Sequence, residues 1–506
     1  MAFVAIAAVY RPRNPEQNPI YGIGAGHLET FLARQRERDR YVPVFVEREF
    51  REFLQCGVLA HGFIRVHCDA CGLDRLVPFS CKKRAVCNSC GGRRMSDTAA
   101  HLVDRVFPAV PVRQWVLSFP HPLRYRLAYD APLVSDVLAI FTRTVFASLI
   151  HRAREFGAVR KPQCGAVTFI QRFGSALNLN LHLHMLAIDG VYAADEDGRP
   201  QFQVLLAPDD DEIARLTASL TEGITKLLLR RGLGPDRDPE ESDPLSRDQP
   251  WLAGLYAAAV SGRVAFGPHA GRRVTRIGDQ IDPESIDALT SPRCASVSGF
   301  SLHANTSVPA GDRQRLERLC RYCARPPLAI ERLEPLSDGR LLYRFKRAWR
   351  DGTTHIVLTP LELLEKLSAI VPAPKTHLVR YSGILGPAAK WRPLIIPNAA
   401  APPAESVPAI HSPCPAQIHT SARESSIAEA VSTTRHRRNY TWAERMKRVW
   451  TLDVLECPRC HHRLRILAAI HPPDATRRIL ECLGLPSRAP PVAPAQRQHC
   501  IQPEWF

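Results

Sequence analysis

Hydrophobic positions recur at helical spacing in several separate stretches of the chain. Phe45, Phe50, Phe53 and Leu54 share a face up to a stop at Gly57, and residues 96–107 form a second helical run ended by Pro108. Val134, Val137, Leu138, Phe141, Val145, Leu149 and Ile150 mark a long amphipathic helix ending by Gly157. Ile213, Leu216, Leu220, Ile224 and Leu227 mark another over residues 211–231. Thr359-Pro360-Leu361-Glu362 has a cap, a proline at the first helical position and an acid at the third, which opens a helix. Between these runs, residues 114–119, 165–173, 181–188, 300–304, 341–345 and 354–358 read as strands, the last two as a hairpin around Asp351-Gly352.

Other stretches lack a period. Residues 1–44 mix proline with charge and read as irregular, and residues 234–248 read as a solvated loop. Residues 397–434 are rich in Pro, Ala and Ser and read as a linker. Residues 435–485 form a small basic module, and the Pro-rich tail 486–506 reads as disordered. No run of about 18 apolar residues is present, so no membrane-spanning helix is expected.

Two patterned segments carry candidate chemistry. In residues 178–185 polar and apolar positions alternate, so Asn178, Asn180, His182 and His184 share one strand face, while Leu181, Leu183 and Met185 take the other. Two imidazoles two residues apart on one face can converge on a metal ion; a half-exposed polar sheet face is the alternative. Residues 312–324 form a helix stopped by Pro326 and Pro327. Leu316, Leu319, Cys320 and Cys323 make its apolar stripe, so these two cysteines read as core residues. Arg318, Tyr322 and Arg325 line up on another face and would set a phenol between two guanidiniums. Such a tyrosine is suited to attack on a phosphate, and a surface tyrosine on a basic helix is the alternative.

The 506 residues include 15 cysteines and carry a formal charge of +17. The charge favours a polyanionic partner, nucleic acid before membrane. Cys68-x2-Cys71 and Cys87-x2-Cys90 lie 15 residues apart, the pattern of a structural Zn²⁺ with four thiolates. Cys81, Cys56, His61 and His67 are spare donors nearby. Lys82, Lys83, Arg84, Arg93 and Arg94 lie in and beside this segment and are candidates for phosphate contact. Cys457-x2-Cys460 is half a zinc site, to be completed by His461, His462, Cys482 or a cysteine of the first domain. The basic run 435–448, with Tyr440, Trp442 and Trp450, suits base stacking or a helix with a tryptophan core.

Together these segments resemble the rolling-circle insertion-sequence transposases of the HUH endonuclease superfamily, in the type that has an amino-terminal zinc-binding domain. Cys68-Asp69-Ala70-Cys71-Gly72, Phe79-Ser80-Cys81-Lys82-Lys83-Arg84 and Cys87-Asn88-Ser89-Cys90-Gly91 are similar to that zinc domain. Residues 178–189 resemble the family's metal-binding strand. Leu319-Cys320-Arg321-Tyr322 with Arg325-Pro326-Pro327-Leu328-Ala329 resembles its nucleophile helix, and residues 453–460 its carboxy-terminal cysteine motif. Two-tyrosine members carry a second Tyr where this chain has Arg318, so the chain resembles the single-tyrosine subgroup.

The resemblance implies an α+β fold. A zinc-binding domain (residues 45–108) would precede an HUH nuclease core (109–396), an antiparallel sheet with helices on one side, and the basic cysteine module would follow the linker. It implies His182 and His184 as ligands of Mg²⁺ or Mn²⁺, with Asn178, Asn180 or His303 as open choices for a third. Tyr322 would attack single-stranded DNA and leave a 5′-phosphotyrosine and a free 3′-OH, with Arg318 and Arg325 on the phosphate. Partners would be the single-stranded ends of its own mobile element and target DNA, with no membrane, in a bacterial cytoplasm at the nucleoid. Tyr381 in residues 379–383 is the second candidate nucleophile. A reading of another class is a non-catalytic zinc-containing DNA-binding regulator or a decayed transposase, which keeps the cysteines without needing Tyr322, His182 or His184. A recombinase with three carboxylates fits poorly, because the acids cluster in residues 209–211 and 239–243.

Overall fold

Strand Leu179–Ile188 sits inside an antiparallel sheet of the order Val379–Gly383, Gly165–Phe173, Leu179–Ile188, Val112–Ser118, Phe300–His303, Cys294–Val297. The short strand Ser307–Val308 pairs with Val112–Ser118 as well. The computed structural model describes residues 14–155, 157, 161–234, 243–278, 292–349, 351–396, 441–450 and 452–496. The linker 397–434 therefore lies outside the described residues, as do residues 1–13, 235–242, 435–440 and 497–506.

The α+β class and the antiparallel sheet agree with the sequence reading, but helices cover both faces rather than one. Leu181, Leu183 and Met185 face helices Ala131–Glu155 and Asp210–Arg230 through Leu133, Val137, Phe141, Ile213 and Leu220. Leu186 and Ile188, with Val167 and Phe169, meet helices Asn88–Arg105 and Arg313–Ala324 on the other side. Strand Gly165–Phe173 is buried along its whole length, the mark of a strand covered twice. Helix Ala131–Glu155 is, by length and composition alone, apolar enough to cross a membrane, a test that a buried core helix also passes. Its apolar stripe is buried against this sheet.

The second correction concerns the amino terminus. Pro19–Arg36 is a helix, entered through the Asn18 side chain, which accepts from the Ile20 N–H at 3.0 Å. Ile20, Tyr21, Leu28, Phe31 and Leu32 are buried in a core shared with Val44–Gln55, Pro250–Val260 and Pro360–Ile370. The last of these helices has the predicted capping box, with Thr359 and Glu362 each accepting the other's backbone N–H. A four-stranded sheet built around the hairpin Leu341–Arg344 and Thr353–Leu358 joins the same core.

The third correction concerns the carboxy-terminal module, which is no separate unit. Its strand Arg465–Ile470 adds to Phe63–His67, itself paired with Asp74–Pro78, to make a three-stranded ribbon. Part of the tail also has a place. The Ala493 N–H donates to the Ala25 carbonyl at 2.8 Å, and the Gln496 N–H to Thr30 Oγ1 at 3.0 Å.

Candidate active site and metal centres

The histidine strand changes character along one face. Asn180, His182 and His184 give way to the buried Leu186 and Ile188, so the polar end emerges beside the tyrosine helix. That helix, Arg313–Ala324, starts at Asp312, whose carboxylate accepts the Arg315 N–H at 2.9 Å. Leu316, Leu319, Cys320 and Cys323 are buried as its packing stripe. Gln171, opposite His182 on the next strand, donates to the carbonyls of Cys323 at 2.7 Å and Tyr322 at 3.3 Å and caps the helix end.

Tyr322 thereby reaches the histidines. The His182 and His184 ring centroids are 4.8 Å apart, and the Tyr322 ring stands edge-on to His184 at 5.8 Å. His184 is 3% exposed, whereas Tyr322 is 42% exposed, so the site opens to solvent on the tyrosine side. Arg325 lies over the Tyr322 ring at 4.3 Å and donates to the Tyr322 carbonyl at 3.0 Å. Arg318 is exposed on the helix. Lys346 stands 5.9 Å from the Tyr322 ring centroid. Nothing in the sequence pattern singles out Lys346, because it comes from a loop beyond Phe345.

Burial pushes His182 down to about 4, with Arg325 and Arg124 adding to the effect against the pull of the Asn180 carbonyl. His184 is pushed well below the usual range by burial, then by His182 and Arg325. Both imidazoles are therefore neutral at pH 7 and offer lone pairs. His182 donates Nδ1–H to the Asn180 carbonyl at 2.9 Å, which leaves Nε2 as the lone-pair atom. The Gln114 amide lies 2.9 Å from Nδ1 of His184. The side-chain nitrogen of Gln114 faces Nδ1 there and also donates to Cys323 Sγ at 3.4 Å; the amide turned over, with its oxygen to the ring, would free Nε2 of His184 in the same way. Three buried polar atoms on this face have no partner among the described residues: His184 Nε2, Asn180 Oδ1 and Gln171 Oε1. That donor set fits a hard divalent ion. His303 is on the same sheet face, opposite Val116, which in turn is opposite His184. It forms no cluster of three donors with the two histidines among the described residues.

Beyond His182 a pocket of about 340 Å³ is lined by His121, Arg124, Asn178, Asn180, Arg276 and Trp349. Arg276 stacks on Trp349 at 4.7 Å. Tyr381 lies elsewhere, on the edge strand opposite Val167, and burial raises its phenol.

The cysteines regroup. The structure does not bring Cys68 and Cys71 to Cys87 and Cys90 in one cluster. Cys87 and Cys90 join Cys56 and Cys81, and Cys68 and Cys71 join Cys457 and Cys460. The reason is topological. Cys68 and Cys71 sit on the turn of the ribbon hairpin, while Cys87 and Cys90 flank the start of helix Asn88–Arg105. In the first quartet Cys56 lies 3.7 Å from both Cys87 and Cys90, and Cys81 lies 3.6 Å from Cys90. In the second, Cys68–Cys460 is 3.4 Å and Cys71–Cys457 3.6 Å. Zn–S bonds of about 2.3 Å in a tetrahedron set the sulfurs about 3.8 Å apart, so both quartets fit Zn²⁺. Within the first quartet the thiols interact directly: hydrogen bonds from their neighbours pull Cys56 and Cys90 down and push Cys81 and Cys87 up. His67 faces Asp74, His461 faces Glu456, and His61, His462 and Cys482 belong to neither quartet.

Several of the candidate phosphate contacts are engaged within the chain. Lys83 pairs with Glu52 at 2.8 Å, and Arg84 donates to the carbonyls of Thr376 and Ala373 at 2.6 and 3.2 Å. Arg94 donates to the Lys82 carbonyl at 2.5 Å. Lys82 and Arg93 line a cavity of about 1000 Å³ between the ribbon and helix Trp442–Trp450, with Phe79, Lys447, Arg463 and His471. Tyr440 lies outside the described residues.

Two family models match the chain. Residues 165–391, which hold the histidine strand and the tyrosine helix, match the family described as "Putative transposase". Residues 25–119, which hold the whole first quartet, match the family described as "Transposase zinc-binding domain", of the IS91 type. The chain is a DNA-processing enzyme of the transposase class. The two matched segments support an IS91-like transposase, and the zinc-domain match with the cysteine quartets supports structural Zn²⁺. No curated protein and no solved structure matches it.

Proposed function

We propose that this transposase cleaves and rejoins single-stranded DNA at the ends of its own mobile element by a rolling-circle route with Tyr322 as nucleophile. The observation that carries this reading is the edge-to-face contact of His182 with His184 on one sheet face and of His184 with Tyr322 from the helix packed on it, with Arg325 over the phenol ring. The Tyr322 oxygen attacks the scissile phosphorus, and the bond to the 3′ oxygen breaks. The phenol proton is lost to solvent and the leaving oxygen gains one, so the products are a 5′-phosphotyrosine and a free 3′-OH. Arg325 and Lys346 hold the phosphate charge, and Arg318 is available to the strand from the exposed helix face. His182 and His184 would hold Mg²⁺ or Mn²⁺, which when bound would polarise the phosphate. The pocket at Arg124 and Trp349 suits a nucleotide beside the cleaved bond, and the basic cavity at Lys82 and Arg93 suits duplex or strand further away. Such work belongs in the bacterial cytoplasm, at the nucleoid. A regulator without catalysis needs none of the Tyr322 geometry.

The test is incubation of the purified protein with Mn²⁺ and labelled single-stranded DNA of its element end. An adduct that survives SDS is expected from the wild type and from Tyr381→Phe. It is lost in Tyr322→Phe and in His182→Ala/His184→Ala. Loss only with Tyr381→Phe would move the nucleophile. Tight DNA binding without any adduct would favour the non-catalytic protein.

A further inference from the structure

The second cysteine quartet joins residues almost four hundred positions apart, Cys68 with Cys460 and Cys71 with Cys457. Around it the buried apolar cluster is small: Val66, Leu464 and the cysteines themselves, with Ile64 and Leu73 at its edge. The added strand Arg465–Ile470 is largely exposed along its length. Apolar burial alone is a weak fastening for so long a loop closure. Four thiolates on one metal ion supply the missing fastening.

The fastened segment reaches the tyrosine helix. Lys447 of helix Trp442–Trp450 pairs with Asp453 at 3.3 Å, just ahead of the Cys457 turn. Arg448 donates to both carboxylate oxygens of Asp104 at 3.0 and 3.1 Å and to Glu317 at 2.9 Å. Asp104 is on the zinc-domain helix, and Glu317 is a buried residue of the tyrosine helix, five positions before Tyr322. Glu317 also accepts Arg321 at 2.5 Å, so one carboxylate ties two arginines beside the tyrosine.

We propose that Cys68, Cys71, Cys457 and Cys460 hold a second Zn²⁺ as a clasp, which docks residues 441–485 and so sets the tyrosine helix through Arg448. The clasp stands on the quartet and the strand pairing alone. The role of Arg448 as a positioning residue rests on the reading of Tyr322 as nucleophile.

Native mass spectrometry and amide hydrogen exchange of the full-length protein test it. The wild type is expected to carry two Zn²⁺ per chain. Cys457→Ser/Cys460→Ser is expected to carry one and to lose protection in Phe63–His67 and Trp442–Trp450. Cys460→His, which keeps a zinc-binding donor, is expected to restore both the ion and the protection. Two ions in the double variant, or one ion with unchanged protection, would overturn the clasp. Arg448→Ala is expected to keep two ions, while adduct formation on saturating DNA slows at least tenfold and the tyrosine helix exchanges faster. Arg448→Lys is expected to recover part of the rate. An Arg448→Ala variant with the wild-type rate would overturn the positioning role. If the wild type forms no adduct, the nucleophile reading and the positioning role fail with it, whereas ion count and protection still decide the clasp.

Discussion

One proline decides where Arg325 points. A continued helix would place Arg325 one further turn along the face of Tyr322, as the residue spacing predicts. Pro326 excludes helical backbone at the residue before it, and Arg325 adopts φ −59° and ψ 149°. The chain turns there, and the guanidinium comes back over the Tyr322 ring. The two-residue period of the histidine strand was legible because a strand face repeats strictly. Lys346 and Gln114 were not, because they reach the site from strands and loops whose register no local pattern encodes. Away from the site, Arg113 clasps Asp189 through two hydrogen bonds of 2.6 and 3.1 Å with both side chains buried. Asp189→Ala leaves that guanidinium buried without its counter-charge. It should cost about 3–5 kcal/mol in a urea unfolding curve. Burial lifts the Glu365 carboxyl to about 7, although it accepts the N–H groups of Ala265 and Phe266. Between its unfolded value near 4.5 and about 7, the folded state binds the extra proton, so this group's contribution is full at low pH and is lost as pH rises. Glu365→Gln should therefore raise Tm at pH 8 more than at pH 5.

Helix Asn88–Arg105 links the zinc domain to the catalytic core. Its first turn carries Cys90, and its later turns bury Ala99, Leu102 and Val103 against the tyrosine helix. Between them Gly91 lies under Pro326, and a Cβ at that position would stand 2.8 Å from the proline ring. Alanine in place of a mid-helix glycine gains up to about 1 kcal/mol in propensity. Overpacking against a rigid ring costs about 1–3 kcal/mol. Gly91→Ala should therefore lower Tm and slow adduct formation, and a rise in Tm would contradict this packing. The tyrosine helix was legible because its buried residues form one stripe. Helix Pro19–Arg36 was not: its buried set includes Thr30, Gln35 and Gly24, so apolar residues mark no single face. The asparagine and proline at its start were the available signal.

Over the whole molecule, the cysteine spacings identified metal-binding pairs but not their partners. Local spacing shows which two thiols share a turn; which two turns meet depends on a strand pairing across most of the chain. The same pairing explains why the carboxy-terminal module read as a separate unit. Removal of residues 441–506 would leave the hydrogen-bonding edge of Phe63–His67 bare. Such a truncated protein is expected to self-associate, seen as a rise in light scattering at concentrations where the full-length protein stays monodisperse.

The ribbon also imposes an order on synthesis. Its third strand leaves the ribosome almost four hundred residues after its first two. At about 5–20 residues per second, the gap lasts tens of seconds. Throughout that interval Cys68 and Cys71 wait with half a ligand set. A message cut short before codon 457 yields a chain whose ribbon never closes, so a broken transcript announces itself in the fold of its product.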